Sequence, residues 1–478
     1  MHKTIFSGEK QGEFIETLRR LIGKENVLSE LEERVCYAYD GSKQKHKPEV
    51  VTRPRTTKHV SDILQFAYSH AIPVCPRGAG SGLTGGSVPV KGGITLDFTQ
   101  MNQILEIIPE NLTATVEPGV VTEVLQNEVA KYKLFYPPDP ASVAFCTIGG
   151  NVAECSGGIT GLKYGVTRDY ILSLEVVLAN GDIIHTGRKT LKSVTGYDLT
   201  RLFIGSEGTL GVFTKITVKL LPLPEKTETL LIYFATARDA ITSASRIIAN
   251  NILPRALEFM DKSSIDCVKG YNQQIQIPEE VGAVLLIDID GNAASVGIEA
   301  SSVERIVREN RAVTVLSAKD SRERTMLWDI RRAISPALYT IAPLRINEDI
   351  CVPRESLLEM LERITDIQSR YTSLKVASFG HIGDGNIHVN VLYKKGDTQQ
   401  KLAEEMIEEI LRNAVELEGT ISGEHGIGNV KAKYLSMEIP PQELQIMKDI
   451  KKLLDPKGIL NPGKIFCDTL DENKYLRT

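Results

Sequence analysis

The spacing of apolar positions changes period several times along the chain, and each change marks an element. It is helical over residues 12–37 and again at 57–69, 237–250, 294–310, 398–417 and 441–454. Short extended runs fall at 49–54, 72–76, 94–98 and 112–117, and later at 230–235 and 282–288. The longest apolar runs, such as residues 228–235, are strand-sized and far too short to span a bilayer. No fixed-period repeat or low-complexity tract interrupts the pattern, which disfavours solenoids and propellers.

Two textures follow one another. Residues 78–119 and 142–221 are dense in glycine, and such density, costly in backbone entropy, points to close approach of main chain to a ligand. The run LLPLPE at 220–225 reads as a domain exit. Beyond it, strands and helices alternate in the manner of a helix-backed antiparallel sheet. The chain closes with a helix and the turn-like tail LNPGK at 460–464.

Length and composition narrow the class. A chain of 478 residues suggests two or three domains, and 42% apolar with 24% charged residues suits a soluble enzyme. A net charge of −5 disfavours a nucleic-acid partner. The N-terminus is a polar lead-in to an amphipathic helix, without the apolar core of a secretory signal. The seven cysteines, at 36, 75, 146, 155, 267, 351 and 467, form no Cys-x-x-Cys pair. Iron–sulfur and zinc-ribbon sites are therefore not expected within the chain, and the scattered, odd count indicates a reducing compartment, the cytoplasm.

The densest glycine cluster is PRGAGSGLTGG, residues 76–86, which contains a formal G-x-G-x-x-G at Gly80, Gly82 and Gly85. A strand precedes it, but Gly86-Ser-Val-Pro-Val-Lys-Gly-Gly93 follows where a Rossmann helix would open, so that reading fails on context. Successive N–H groups in such a turn still form an anion-binding concavity. A second stretch, TIGGNVAECSGG at 147–158, strengthens the case for a ligand.

PRGAGSGLTGG, PPDPASVAFCTIGGNVAECSGG and GSEGTLG together resemble the FAD-binding domain of the vanillyl-alcohol oxidase / p-cresol methylhydroxylase superfamily. Within it they are most similar to the FAD-linked D-lactate dehydrogenase and glycolate oxidase large-subunit family, over about residues 40–470. The resemblance implies an α+β fold: a two-subdomain FAD-binding module plus an α+β cap domain with an antiparallel sheet. The expected division is 1–224 for the FAD domain, 225–430 for the cap, and 431–478 for a helical segment returning to the FAD domain. Pro76, Arg77, Gly78, Ala79, Gly80, Ser81 and Gly82, with Thr84, Gly85 and Gly86, would then hold the pyrophosphate. Pro138, Ser142, Thr147, Gly149, Gly150, Asn151, Ser156, Gly157, Gly161 and Tyr164 would line the flavin. Glu207, Gly208 and Val212 would lie at the adenine side, and Asn461 would close over the ring. Some relatives attach FAD through a histidine in the first glycine loop; none stands there in this chain, so non-covalent FAD is expected.

His381-Ile-Gly-Asp-Gly-Asn-Ile-His388 is the second signal. Seven residues apart on a straight strand, the two rings would face opposite ways. The turn-forming Gly383-Asp-Gly-Asn386 allows a return that sets them on one side. Such a pair alone is more often packing or surface than a ligand site. Ser422-Gly-Glu-His-Gly426 adds a carboxylate and a third histidine, a donor set suited to zinc, iron or manganese with positions left open. The resemblance implies His381, His388 and Glu424 as metal ligands, His425 as catalytic base and Asn390 beside the substrate. It likewise implies that Arg331, otherwise a surface arginine on a helix, grips the substrate carboxylate. Ser335 and Asn347 stand roughly where relatives acting on diacids place Thr and Lys, and the missing cation at 347 favours a monocarboxylate.

The implied reaction takes a small 2-hydroxy acid, D-lactate or glycolate, to its 2-keto acid. The substrate oxygens chelate the metal, His425 removes the hydroxyl proton, and hydride passes to flavin N5. An electron-transfer flavoprotein or iron–sulfur protein is the expected electron acceptor, and free NAD is not. The alternatives are a D-2-hydroxyglutarate-type dehydrogenase, a sugar-lactone or aromatic-alcohol oxidase, a non-catalytic flavin subunit of a larger oxidase, and a nucleotide-binding interaction protein.

Overall fold

In the computed structural model, which describes residues 9–271 and 277–466, the first helix α1 (Glu9–Ile22) stops well short of residue 37. Gly23 follows at φ 90°, a backbone state glycine adopts without strain, and the chain enters β1 (Val27–Leu28). The helical spacing past residue 23 is thus a correction: that stretch is a short strand and a separate turn of helix at Leu31–Val35. The first residues of the polar lead-in and Cys467 lie outside the described residues. Two units make up the chain. One comprises Met1–Ser156, Val166–Leu223 and Glu424–Thr478; the other comprises Gly157–Gly165 and Pro224–Gly423.

The first unit contains two principal sheets. β2 (Val50–Thr52), β3 (Val74–Arg77) and β4 (Ile94–Asp97) join β1 in the order β1-β2-β4-β3, with β4 parallel to both its neighbours. Parallel pairing needs a crossover, and α2 (Thr57–His70) supplies it between β2 and β3. Thr56 caps that helix by accepting from the His59 N–H, and Val60, Ile63, Leu64 and Ala67 bury one face against Val74, Ile94 and Leu96. The second sheet is antiparallel. Its strands are β5 (Ile104–Ile108), β6 (Thr113–Val116), β7 (Ile171–Val177), β8 (Ile183–Gly187) and β9 (Val212–Lys219), ordered β5-β6-β9-β7-β8. β5 escaped the sequence reading because it is a half-exposed edge strand, ILEII, with no apolar–polar alternation. Helix α3 (Ile148–Glu154) lies in the same unit, capped by Thr147, whose Oγ1 accepts from the Gly150 N–H at 3.3 Å.

Glu175 on β7 ties α2 to the second sheet. Its carboxylate accepts from Thr57 Oγ1 at 2.6 Å, Thr214 Oγ1 at 2.9 Å and Lys215 Nζ at 2.9 Å. Burial pushes its pKa up, but these hydrogen bonds and the Lys215 charge prevail and bring it down to about 2. A depressed folded-state pKa contributes stability above the unfolded value of 4.5 that is lost as pH falls toward 2. Glu175→Gln is therefore less stable than wild type at pH 7. In denaturant melts the gap narrows as pH drops from 5 toward 3; a pH-independent gap would contradict the assignment.

The second unit is built on one seven-stranded antiparallel sheet. Its strands are β10 (Lys226–Phe234), β11 (Ala256–Asp261), β12 (Ala283–Gly291), β13 (Ala312–Ser317), β14 (Leu344–Cys351), β15 (Lys375–His381) and β16 (Asn386–Tyr393). The order is β13-β10-β12-β11-β15-β16-β14. One face packs on α4 (Ala237–Ala249), α6 (Ala293–Glu309), α9 (Leu357–Arg370) and α10 (Asp397–Glu416). The other packs on α5 (Lys262–Tyr271), α7 (Ser321–Arg332) and α8 (Ile334–Leu338). With helices on both faces, a central strand such as β12 reads as a continuous apolar run, whereas β16, NIHVNVLY, alternates polar and apolar residues although every position is buried. Helix α7 is fixed to the sheet at i, i+4 spacing: Arg324 and Trp328 both reach the buried Asp288 carboxylate, at 2.6 and 3.1 Å. No helix among the described residues is long and apolar enough to cross a membrane.

Candidate active site

In the first unit, the glycine loop after β3 runs without a following helix, so its phosphate-binding capacity rests on turn N–H groups alone. The side chain of Arg77 supports the loop from beneath, donating to Tyr39 O at 2.8 Å. A Cβ on Gly80 would run into that guanidinium, and one on Gly78 into Thr147 Oγ1. The two glycine-rich stretches therefore meet at Gly78 and the N-cap of α3. By contrast, a Cβ on Gly82 would find only Glu154 Oε1, at 3.9 Å. The protein itself leaves room for a side chain at Gly82, which suits a ligand passing there.

Other residues of this unit hold the cradle together. Asn151 donates to Thr122 Oγ1 at 2.8 Å, Gly149 N–H to Pro118 O at 2.8 Å, and Pro138 O accepts from Gln126. Ser142 and Ser156 contribute main-chain bonds in the same loops, and Val212 lies in the apolar core. Asn461, buried in the LNPGK tail, donates to Gly86 O at 2.8 Å and Glu207 O at 2.7 Å, while its own N–H bonds Val74 O. The tail thus clamps the first glycine loop from a point nearly four hundred residues later. Gly208 sits at φ 67°, where a Cβ would strike Pro76.

Glu207 accepts from the N–H groups of Ile427 and Gly428, at 2.8 and 2.7 Å. Thr84 Oγ1 donates to His425 O at 3.1 Å, and Thr84 O accepts from Asn429 and Val430. The segment carrying His425 is therefore fastened to the first glycine loop. Burial, then the neighbouring Glu207, pushes the Glu154 carboxyl well above the usual carboxylate range. Gly157, Gly161 and Tyr164 are placed differently: they fall in the nine-residue excursion that belongs to the second unit. There the Tyr164 hydroxyl donates to the buried Asp290 at 2.9 Å, beside Lys163 Nζ at 2.6 Å from the same side chain.

The second unit assembles a row of polar side chains on one face of its sheet. β15 and β16 form a hairpin in which Phe379 pairs with His388 and Ala377 with Asn390. His381, two residues beyond Phe379, shares that face. The two imidazoles consequently stand 5.1 Å apart, centroid to centroid, with planes at 88°. Asp349 on β14 pairs with His388, and its Oδ1 lies 3.6 Å from His388 Nδ1. Asn386 holds that carboxylate at 2.5 Å, and Gly423 N–H donates to Asp349 O at 3.0 Å. On β11, Glu258 pairs with His381 and accepts from its Nδ1 at 2.5 Å. Burial opposes ionisation of Glu258, but the charges of His381 and Arg331 outweigh it and hold its pKa below the ordinary value.

Arg331 is not a surface residue. Its side chain is 14% exposed, its Nε donates to Glu258 Oε2 at 2.8 Å, and its guanidinium lies over the Phe379 ring at 4.5 Å. Asn390 is fully buried, and its Oδ1 accepts from Asn347 at 2.8 Å and Arg345 at 3.3 Å. Arg345 also donates to Ser335 Oγ at 3.0 Å. The inference from residue 347 needs correction here: the strand period puts Arg345 on the same face as Asn347, so this side of the row does carry a cation. Glu258, Asp349 and Arg345 were missed in the sequence because each lies on a strand with no motif around it. The signal that exists is a charged residue inside an apolar strand, ALEFMD for Glu258. The SGEHG motif is divided, with Ser422 and Gly423 in the second unit and Glu424, His425 and Gly426 in the first.

Comparison with known proteins identifies the family. Residues 48–187 match the model of an FAD binding domain, and residues 223–465 match that of the C-terminal domain of FAD linked oxidases. The chain is 45% identical over 454 residues to the glycolate oxidase subunit GlcD of Bacillus subtilis (strain 168), covering 95% of this chain and 96% of that protein. It is 37% identical over 432 residues to a D-lactate dehydrogenase of Anaerostipes hadrus, covering 88% and 90%. Among solved structures, its fold is similar to p-cresol methylhydroxylase with substrate bound. The TM-score is 0.80 at 18% identity, over 96% of this chain and 98% of that one. The 4-ethylphenol oxidase from Gulosibacter chungangensis gives 0.76 at 20%, with the same coverage. With both domain models matched in order and a relative aligned along nearly its whole length, the chain belongs to the FAD-linked oxidases, a family of flavin-dependent oxidoreductases.

Proposed function

We propose that this protein is a dehydrogenase that oxidises D-lactate or glycolate to the corresponding 2-keto acid. The observation that carries the reading is the buried row of Glu258, His381, His388 and Asp349, with the Arg331 guanidinium at one end. A 2-hydroxy acid presents a hydroxyl and an adjacent carboxylate. The row offers nitrogen and oxygen donors for the first and a planar fork for the second.

The donor set that the resemblance implies, His381, His388 and Glu424, would suit a divalent ion such as zinc, iron or manganese, and in the second unit the Asp349 carboxylate lies beside His388. FAD held in the glycine cradle would supply the two-electron acceptor, and the ion would supply a Lewis acid for the substrate hydroxyl. The chain's own residues do the rest. Arg331 orients the substrate carboxylate, Asn390 holds the adjacent polar edge, and His425 takes the hydroxyl proton on its imidazole nitrogen. A cytoplasmic location is proposed from the scattered, odd cysteine count of the sequence. The expected electron acceptor is an electron-transfer flavoprotein or an iron–sulfur protein.

Arg345 with Ser335 supports a second reading, in which a substrate carries another carboxylate, as D-2-hydroxyglutarate does. The discriminating experiment is a dye-coupled screen of D-lactate, L-lactate, glycolate and D-2-hydroxyglutarate under anaerobic conditions. D-lactate or glycolate gives the highest kcat/KM. A clear preference for D-2-hydroxyglutarate would replace the first reading, and inertness toward all four would remove both. Acid precipitation of the same sample releases all yellow colour to the supernatant, as expected of FAD without a covalent bond; colour left in the pellet would contradict it. Substrate-reduced enzyme is not reoxidised by NAD alone.

A further inference from the structure

Nothing in the packing of the seven-stranded sheet calls for a carboxylate at position 258. The residue is fully buried in the middle of β11. Its neighbours on the same face, Ala256 and Met260, are apolar core, and Leu286 lies directly opposite on β12. A leucine or methionine would continue that surface. A carboxylate survives there only because both its oxygens are engaged, Oε1 with His381 Nδ1 at 2.5 Å and Oε2 with Arg331 Nε at 2.8 Å.

We propose that Glu258 is a positioning residue that sets the metal side and the carboxylate side of the site at once, through His381 and Arg331. The proposal rests on the reading given under Proposed function. Accepting from Nδ1–H fixes the His381 tautomer, so that Nε2 carries the lone pair toward a ligand. Engaging Nε, with the Phe379 ring against the guanidinium face, fixes the plane of the Arg331 fork. Phe379 also touches the His388 ring, at 5.5 Å between centroids. One buried carboxylate therefore aligns the two groups that meet opposite ends of a 2-hydroxy acid.

The test uses the full-length FAD-loaded protein and three variants. Metal affinity is read by chelator competition with zinc, KM and kcat with D-lactate and a dye, and integrity by FAD content and circular dichroism. Glu258→Gln, which keeps one acceptor oxygen but turns an N–H group toward the other donating partner, weakens metal affinity ~10–100-fold and raises KM, with FAD content unchanged. Arg331→Met raises KM and leaves metal affinity as in wild type. The double variant Glu258→Met, Arg331→Met replaces the ion pair by apolar groups, which folds tolerate well. It still shows the weakened metal affinity of Glu258→Gln. If the double variant regains wild-type metal affinity, Glu258 merely neutralises Arg331 and the proposal is overturned. It is overturned equally if Glu258→Gln keeps both metal affinity and KM. If wild type binds no metal, the metal reading itself fails, and Glu258 is judged on KM alone, where an unchanged value overturns it.

Discussion

His425→Asn lowers turnover by about 10²-fold or more while FAD and metal remain bound, because it removes the proposed base and little else. Asparagine preserves polarity and approximate size but cannot take up a proton at neutral pH. The main chain of the segment does not depend on the imidazole. Its carbonyl accepts from Thr84 Oγ1 at 3.1 Å, and Ile427 and Gly428 donate to Glu207. The expected signature is a loss in kcat under saturating D-lactate, a stoichiometric flavin spectrum and an unchanged metal content by elemental analysis. Glu424→Ala provides the contrast: it loses metal and activity together while the flavin spectrum persists. Turnover by His425→Asn within a few-fold of wild type would remove His425 from the chemistry and leave it as a structural part of its loop.

Glu424 and His425 both lie in a segment that the sequence alone makes legible. The glycine loops, the histidine hairpin and the SGEHG segment are local patterns, and a local pattern can be read without knowing the fold. The hairpin is the clearest case. Gly383 to Asn386 carries turn chemistry, and the pairing of Phe379 with His388 then puts both histidines on one face. Most long helices were legible for the same reason, since amphipathic spacing and capping are short-range. Pro441–Leu454 matches the reading of 441–454, and Asp397–Glu416 that of 398–417 to one residue.

What was not legible is what the sheet order creates. Glu258, Asp349 and His388 are separated by scores of residues and come together only because β11, β15, β16 and β14 are neighbours in that order. A glutamate in ALEFMD looks like an ordinary interruption until His381 and Arg331 are found at its two oxygens. Arg345 stands in no motif, and only the strand period shows that it shares a face with Asn347. The break after Ile22 and the edge strand Ile104–Ile108 failed for a different reason. In both, apolar spacing is compatible with more than one element, and long-range pairing decides between them.

Arg331→Ala reduces kcat/KM for a 2-hydroxy acid by about 30- to 4,000-fold, corresponding to the ~2–5 kcal/mol lost when one partner of a buried charge pair is removed. The effect has two parts. The substrate carboxylate loses a planar donor, and Glu258, fully buried, loses one of its two partners. Arg331→Lys separates them. Lysine keeps a positive charge for Glu258 but cannot present two parallel N–H groups to a carboxylate, so stability recovers while KM stays high. Added guanidinium then restores part of the activity of Arg331→Ala, since it replaces the missing fork without repairing the helix. Melting curves, KM for D-lactate and the guanidinium titration together distinguish the two parts. If Arg331→Ala retains wild-type kcat/KM while its melting temperature falls, the arginine serves only to anchor α7 to the sheet. The substrate carboxylate would then have to be gripped elsewhere, and Arg345, already bonded to Ser335 and Asn390, becomes the residue to test.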